Sequence, residues 1–192
     1  MILTKLHRPP ITKEHVCREH LIEYLHSNKY KPFTLVSAPA GYGKSMLVSS
    51  WLEKYKCKYA WISLSEDEND IRSFLICIDA SIKAIVPNAL EKFGKLLNLK
   101  ELPTICILTE TLINELDDID EKFILVLDDY HLLHNNQIHE LVGQILRYPP
   151  QNIHLVILTR RDPELNLSSL RAHSLSLIHI SEPTRLVHSS RM

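Results

Sequence analysis

No apolar run in these 192 residues reaches the roughly 20 that a membrane-spanning helix needs, which excludes a chain built around such helices. Long runs of one charge are also absent. Lys and Arg number 22 against 23 Asp and Glu, for a formal net charge of −1, so nothing advertises a nucleic-acid or membrane surface. There is no Cys-x-x-Cys. Cys17, Cys57, Cys77 and Cys106 are widely spaced and read as structural thiols in a reducing cytosol, so the expected location is cytoplasmic. Met1-Ile2-Leu3-Thr4-Lys5 does not read as a secretory signal, and no internal repeat is evident. Glycine is scarce, with four in all, and two of them, Gly41 and Gly43, fall in one short loop. What is present is ordinary for a globular chain: 45% hydrophobic and 23% charged residues, at a length that suits one α/β domain.

That loop reads Ala38-Pro39-Ala40-Gly41-Tyr42-Gly43-Lys44-Ser45, a phosphate-binding pattern with Ala38 where the commonest form has Gly. Such a loop wraps a nucleotide's phosphates in backbone N–H groups. Its Lys reaches the β- and γ-phosphates and its Ser hydroxyl ligates Mg²⁺. Phe33–Ser37 before it reads as a buried strand. After it, Met46, Leu47, Val48, Trp51, Leu52 and Tyr55 recur at helical spacing. A strand, a glycine loop and a helix aim the helix N-terminus at the phosphates. The expected nucleotide contacts are Ala38 through Met46.

Residues 1–14 carry Pro9-Pro10 and read as an extended arm, and 15–28 as a helix with Leu21, Ile22 and Leu25 on one side. Lys58–Leu64 reads as a second strand. The acidic Ser65–Asp70 reads as a solvated helix start, with Asp70 or Asn69 as N-cap of a helix over Ile71–Val86. A less regular helical stretch fills about 88–118. Phe123–Leu127 is the clearest strand, its five apolar residues suggesting cover on both faces. A helix containing Leu141–Arg147 is stopped by Pro149-Pro150, and Ile153–Thr159 is the next strand. Strands alternating with helices predict a parallel, doubly wound sheet.

The strand at 123–127 ends in Asp128-Asp129. Four apolar residues and then an acid form the second half of a phosphate machine. Asp128, from a strand expected beside the phosphate loop, would hold Mg²⁺ together with Ser45. Asp129 could position or polarise an attacking water. Arg160, at the end of the next strand, lies where a γ-phosphate would be read by charge-assisted hydrogen bonds. His131, His134 and His139 match no common zinc spacing, and His131 is read instead as lining the nucleotide pocket. No Ser-His-Asp or Cys-His nucleophile arrangement is readable.

Over about 3–172 the chain resembles the N-terminal ATPase domain of MalT-like, large LuxR-family transcriptional regulators, within the signal-transduction ATPases with numerous domains (STAND). The residues that carry this are Thr4-Lys5-Leu6, Pro9-Pro10, Arg18 and Leu21, then Leu35 through Ser45 and Trp51. Ala60–Leu64 with Glu68-Asn69-Asp70 and Phe74 follow, then Leu125–His131, Thr159–Leu165 and Leu170-Arg171. The resemblance implies a P-loop NTPase three-layer α/β sandwich with a parallel sheet, AAA+/STAND-like and C-terminally incomplete. It implies a slow ATP/ADP–Mg²⁺ switch rather than a high-turnover enzyme. In the family, an inducer bound to C-terminal repeats favours ATP and self-association, and a C-terminal helix-turn-helix then binds DNA. It further implies that the arm around Pro9, Pro10 and Arg18 covers the adenine. The alternatives are a generic AAA+-like P-loop ATPase, the switch domain of a kinase-linked regulator, and a nucleotide-gated scaffold that never hydrolyses.

After Arg171 the family pattern stops. Residues 175–185 resemble the translated sequence of a transposase-based sequencing adapter. The expected organisation is an arm and helix over 1–30, a P-loop ATPase core over 31–174 and a non-native tail over 175–192. The competing reading of 175–180 is a native fifth strand, and a surrogate strand is the expected structural outcome of the foreign one. No helix-turn-helix is recognisable in these residues, so DNA contact would belong to a longer parent protein.

Overall fold

The computed structural model describes residues 3–11, 18–163, 165 and 176–179. The expected helix start at 15, Cys17, Glu164, Leu170, Arg171 and the segment beyond 179 lie outside the described residues. Five strands are described: β1 (Phe33–Ser37), β2 (Tyr59–Ser63), β3 (Phe123–Asp128), β4 (Ile153–Thr159) and β5 (Ser176–His179). They form one parallel sheet in the order β2-β3-β4-β1-β5. Helix α1 (Glu19–Ser27) precedes β1; parallel neighbours need crossovers, and α2 (Lys44–Lys54), α3 (Ile71–Lys83), α4 (Glu91–Leu97), α5 (Ile105–Asp117) and α6 (Asn136–Arg147) lie in them.

Three layers follow from side-chain alternation. Phe123, Leu125 and Leu127 of β3 pack with α3 to α6, whereas Ile124 and Val126 pack with α1 and α2. Leu155 and Ile157 against Val156 and Leu158 repeat the split on β4. Covering both faces is why these strands read as unbroken apolar runs.

Helix ends follow local chemistry. The Asp70 side chain accepts the Ser73 N–H at 2.9 Å and caps α3; Asn135 caps α6 through the Gln137 N–H at 2.9 Å. Asn69, the other expected cap, instead accepts the N–H groups of His134 and Asn135 and ties the α3 start to the α6 start. Helix α2 closes with Cys57 N–H bonded to the Leu52 carbonyl and Lys56 N–H to that of Glu53. Lys56 takes the left-handed conformation (φ 48°) that such an ending demands.

Four expectations need correction. The arm is not extended throughout, because Leu3–Leu6 form a 3₁₀ turn. The Ser65–Asp70 stretch is not simply solvated. Glu66–Asn69 is a 3₁₀ turn with a capping box from Ser65, and Glu68 is buried against the Lys5 ammonium at 2.8 Å. The stretch 88–118 resolves into two helices, α4 and α5, and α3 ends at Lys83 rather than at 86. Last, β3 is not beside the phosphate-loop strand, since β4 lies between β1 and β3. None of these is a periodicity signal: two are long-range pairings and two are boundary effects.

Candidate functional site

The site lies at the C-terminal edge of β1, β3 and β4, the end of a parallel sheet where ligands bind. β1 runs into Ala38, whose N–H donates to the Thr159 carbonyl at 3.2 Å and locks the loop to the end of β4. Gly41 (φ 81°) and Gly43 (φ 71°) take the left-handed conformation that side chains resist, and Gly43 is the N-cap of α2. The helix therefore begins at Lys44, with its free N–H groups at the loop.

Lys44 is buried, and its Nζ donates to the loop's own carbonyls, Ala38 O at 2.7 Å and Pro39 O at 3.1 Å. Burial pushes this ammonium below its ordinary value; Asp129 and Asp128 pull it up and Arg160 pushes it further down. Ser45, next in the first turn, has its hydroxyl towards the Asp128 carboxylate and favours its charged form. Met46 is half-buried in the same turn. Asp128 is 5% exposed at the end of β3, and burial lifts its carboxyl to about 6, the Ser45 hydroxyl opposing the rise.

Asp129 follows in the left-handed region (φ 57°), where Asp is tolerated better than most residues. That turn swings its carboxylate away from the strand. Its Oδ1 lies 4.0 Å from Arg160 Nη2 and 3.8 Å from His131 Nδ1. Arg160 is half exposed at the end of β4. Thr159 is buried, and its hydroxyl donates to the Arg161 carbonyl at 2.5 Å, fixing the turn that presents Arg160. Arg18, just before α1, donates to the Tyr42 carbonyl at 3.3 Å and so touches the loop itself. Pro9 is held elsewhere on α2, its carbonyl accepting the Ser49 hydroxyl at 2.7 Å.

The loop, Lys44, Ser45, Asp128, Asp129, Arg160 and Arg18 are thus brought to one edge. Sequence reasoning set Ser45 and Asp128 at one ion but did not foresee that the hydroxyl would act on the carboxylate itself, because nothing in spacing reports an approach across 83 residues. It also gave His131 only a loose place; its buried ring beside Asp129 is a product of the left-handed turn. A cleft of about 690 Å³ opens at the opposite, N-terminal edge of the strands, with Lys29, Lys31, Lys58 and Lys122 in its walls. It shares no residue with the phosphate loop.

Comparison with solved structures defines the class. Cdc6p from Pyrobaculum aerophilum matches with a TM-score of 0.60 at 15% identity, covering 93% of this chain and 49% of that one. A Walker-type ATPase of Pyrococcus abyssi matches with a TM-score of 0.52 at 18% identity, covering 93% and 57%. At such identities the likeness speaks for the fold, and that fold is the P-loop ATPase α/β sandwich of the AAA+ kind.

Sequence comparison narrows it. The chain is 34% identical over 171 residues to the HTH-type transcriptional regulator MalT of Yersinia pestis, covering 89% of this chain and 19% of that protein. It is 33% identical over 189 residues to MalT of Klebsiella pneumoniae, covering 98% and 21%. The chain is therefore similar to these regulators and spans about a fifth of the length of the curated relatives it matches. No protein-family model matches.

Proposed function

We propose that the chain is the ATP/ADP-binding switch module of a MalT-type transcription regulator, with Mg²⁺ as its ion and slow hydrolysis as its reset. The observation that supports it is the meeting of Lys44, Ser45–Asp128, Asp129 and Arg160 at the phosphate-loop edge. The donor set suits the ligand. Lys44 is a buried cation held only by carbonyls it can leave, and the loop glycines leave backbone N–H groups free to face an anion.

Ser45 and Asp128 would hold Mg²⁺, which neutralises charge between the β- and γ-phosphates when bound. Lys44 turns from Ala38 and Pro39 to the phosphates. Asp129 accepts a proton from the attacking water. Arg160 distinguishes ATP from ADP because only the former carries the γ-phosphate it reaches. Arg18 steadies the loop at Tyr42, a role closer to the phosphates than the adenine cover suggested by the resemblance. DNA contact, self-association and inducer response are proposed of a longer protein, located in the cytoplasm. Among the described residues no helix is long and apolar enough to cross a membrane.

Titration calorimetry with MgATP and MgADP tests the reading. Lys44→Ala is expected to weaken both by about 10- to 100-fold, the worth of a charge-assisted hydrogen-bond pair. Equal affinity of the variant and the wild type would overturn it.

A further inference from the structure

The cleft of about 690 Å³ at the N-terminal edge of the strands is walled by Lys29, Lys31, Lys58 and Lys122, and among its described lining residues there is no Asp or Glu. In a chain of net charge −1 such a one-sided lining is a local feature, and concave walls of low dielectric concentrate its field. Lys58 is offset by Glu121, which lies outside the lining. Lys29 stands 3.3 Å from His26 Nε2 and 5.1 Å from the centre of the Tyr30 ring, neither of which carries a negative charge. Lys31 and Lys122 have no ion pair among the described residues.

The backbone that carries these cations is fixed. The Lys31 N–H donates to the Asn28 carbonyl at 2.9 Å, and the Lys31 carbonyl accepts the Nδ1–H of His154. The Lys58 carbonyl accepts the Ile124 N–H at 3.0 Å, and Phe123, next to Lys122, donates its N–H to the Asn152 carbonyl at 3.1 Å. Three separate loops thus present lysines to one concavity before any ligand arrives, which lowers the cost of binding. His154 belongs to the same wall and is 4% exposed. With Nδ1 spent as a donor, Nε2 of the neutral ring is a lone-pair acceptor, and it has no partner among the described residues. Burial holds this imidazole below its ordinary value, with the Lys31 carbonyl opposing, so the neutral form prevails at pH 7. Phe123, Ile153, Pro32, Pro149 and Pro150 make up much of the remaining wall.

We propose that this cleft is a second ligand site that takes a small organic phosphate, with the phosphate among the four lysines and a hydroxyl-bearing body against the wall of His154 and the prolines. A phosphate monoester brings about two negative charges and three acceptor oxygens, which suits several ammonium point charges better than one carboxylate does. A hydroxyl is the donor that an unpaired imidazole nitrogen lacks. The volume is that of a pocket for a metabolite-sized molecule. The site shares no residue with the phosphate loop and stands whether or not that loop binds nucleotide.

Ribose 5-phosphate is the probe, with ribose and inorganic phosphate as its two halves, titrated at low salt into the whole chain by calorimetry. Ribose 5-phosphate is expected to bind at least about tenfold more tightly than either half. Lys31→Ala combined with Lys122→Ala should weaken it at least about tenfold, and Lys31→Arg combined with Lys122→Arg should restore most of the loss. Lys44→Ala should leave it unchanged. The ring carbon–proton signals of His154, assigned by their loss in His154→Gln, should shift on binding. Equal affinity in the double alanine variant, an unmoved His154 signal, or ribose 5-phosphate no tighter than inorganic phosphate overturns the proposal. Loss of binding in Lys44→Ala places the probe at the phosphate loop and overturns it as well, as does a wild type that binds none. An oligothymidylate held by Lys31 and Lys122 more tightly than the sugar phosphate would overturn the choice of a small ligand.

Discussion

Asp128 shows how a single residue carries both the cost and the use of the site. Burial lifts its carboxyl from 3.8 to about 6, with Ser45 the main opposing influence. The folded chain therefore binds a proton that the unfolded chain has already lost across that window. Stability must fall as pH rises from about 4 to about 6, by about 2–3 kcal/mol, and stay at the lower level above it. At neutral pH the ionised carboxylate is a standing cost that only a cation can offset. Asp128→Asn should remove it, raising stability at pH 7.5 and flattening the profile between pH 4 and 6. Urea denaturation at both ends of the window measures this. A variant less stable than wild type at pH 7.5 would show that the carboxylate's polar contacts, the Asp129 N–H at 2.9 Å among them, outweigh the burial of charge. The residue's identity as a site group was legible from Phe123–Asp129 alone, because an acid ending an apolar run is a pattern in one dimension. The approach of the Ser45 hydroxyl to it, and the placing of the His131 ring beside Asp129, were not, because both depend on where separate loops meet.

At the scale of elements, periodicity carried most of the information. β1, β3 and β4 were legible because cover on both faces leaves a continuous apolar run, and α2 because its buried face repeats at 3.6 residues. What was not legible had tertiary causes. Glu68 reads as part of an acidic surface run until Lys5, 63 residues earlier, is placed on it. The intrusion of β4 between β1 and β3 is a matter of strand order, to which no local pattern responds. Local chemistry also marks two positions where the sequence is not at its optimum. Lys56 sits at φ 48° in the ending of α2, where glycine costs nothing, so Lys56→Gly should stabilise by about 0.5–1 kcal/mol. Gly143 lies inside α6 with open space where a Cβ would stand, so Gly143→Ala should stabilise by a similar amount, about 0.5–1 kcal/mol. Gains of opposite chemistry at two helices make a sharp check by chemical denaturation. A loss at Lys56→Gly would mean its αL geometry is held by more than the helix ending.

Across the whole molecule, the sheet has two edges and the site belongs to neither. β2 is flanked by the arm, where Lys5 reaches Glu68, and where Arg8 bonds the Tyr59 hydroxyl at 3.0 Å and pairs with Glu53. Such cover blunts an edge against pairing with other chains. The other edge is β5, which pairs with β1 and buries Ile178 among Val36, Leu47 and Val48. The phosphate loop, Asp128 and Arg160 sit on the interior strands β1, β3 and β4 and on α2, so ligand occupancy should stabilise the molecule from its centre. At nucleotide concentrations about 100 times the dissociation constant, mass action adds about 2.7 kcal/mol. For a chain of this size that corresponds to a rise in Tm of about 5–10 °C. Lys44→Ala, binding about 10- to 100-fold more weakly, should cut the rise to about half or less while leaving the unliganded Tm near that of wild type. Ile178→Ala should do the reverse, costing about 2 kcal/mol or more by opening the β1 edge but keeping the nucleotide-dependent rise. Thermal unfolding with and without MgADP separates the two. If the rise disappears in Ile178→Ala, β5 is coupled to the phosphate loop through β1, and residues 176–179 belong to the working site rather than to the frame around it.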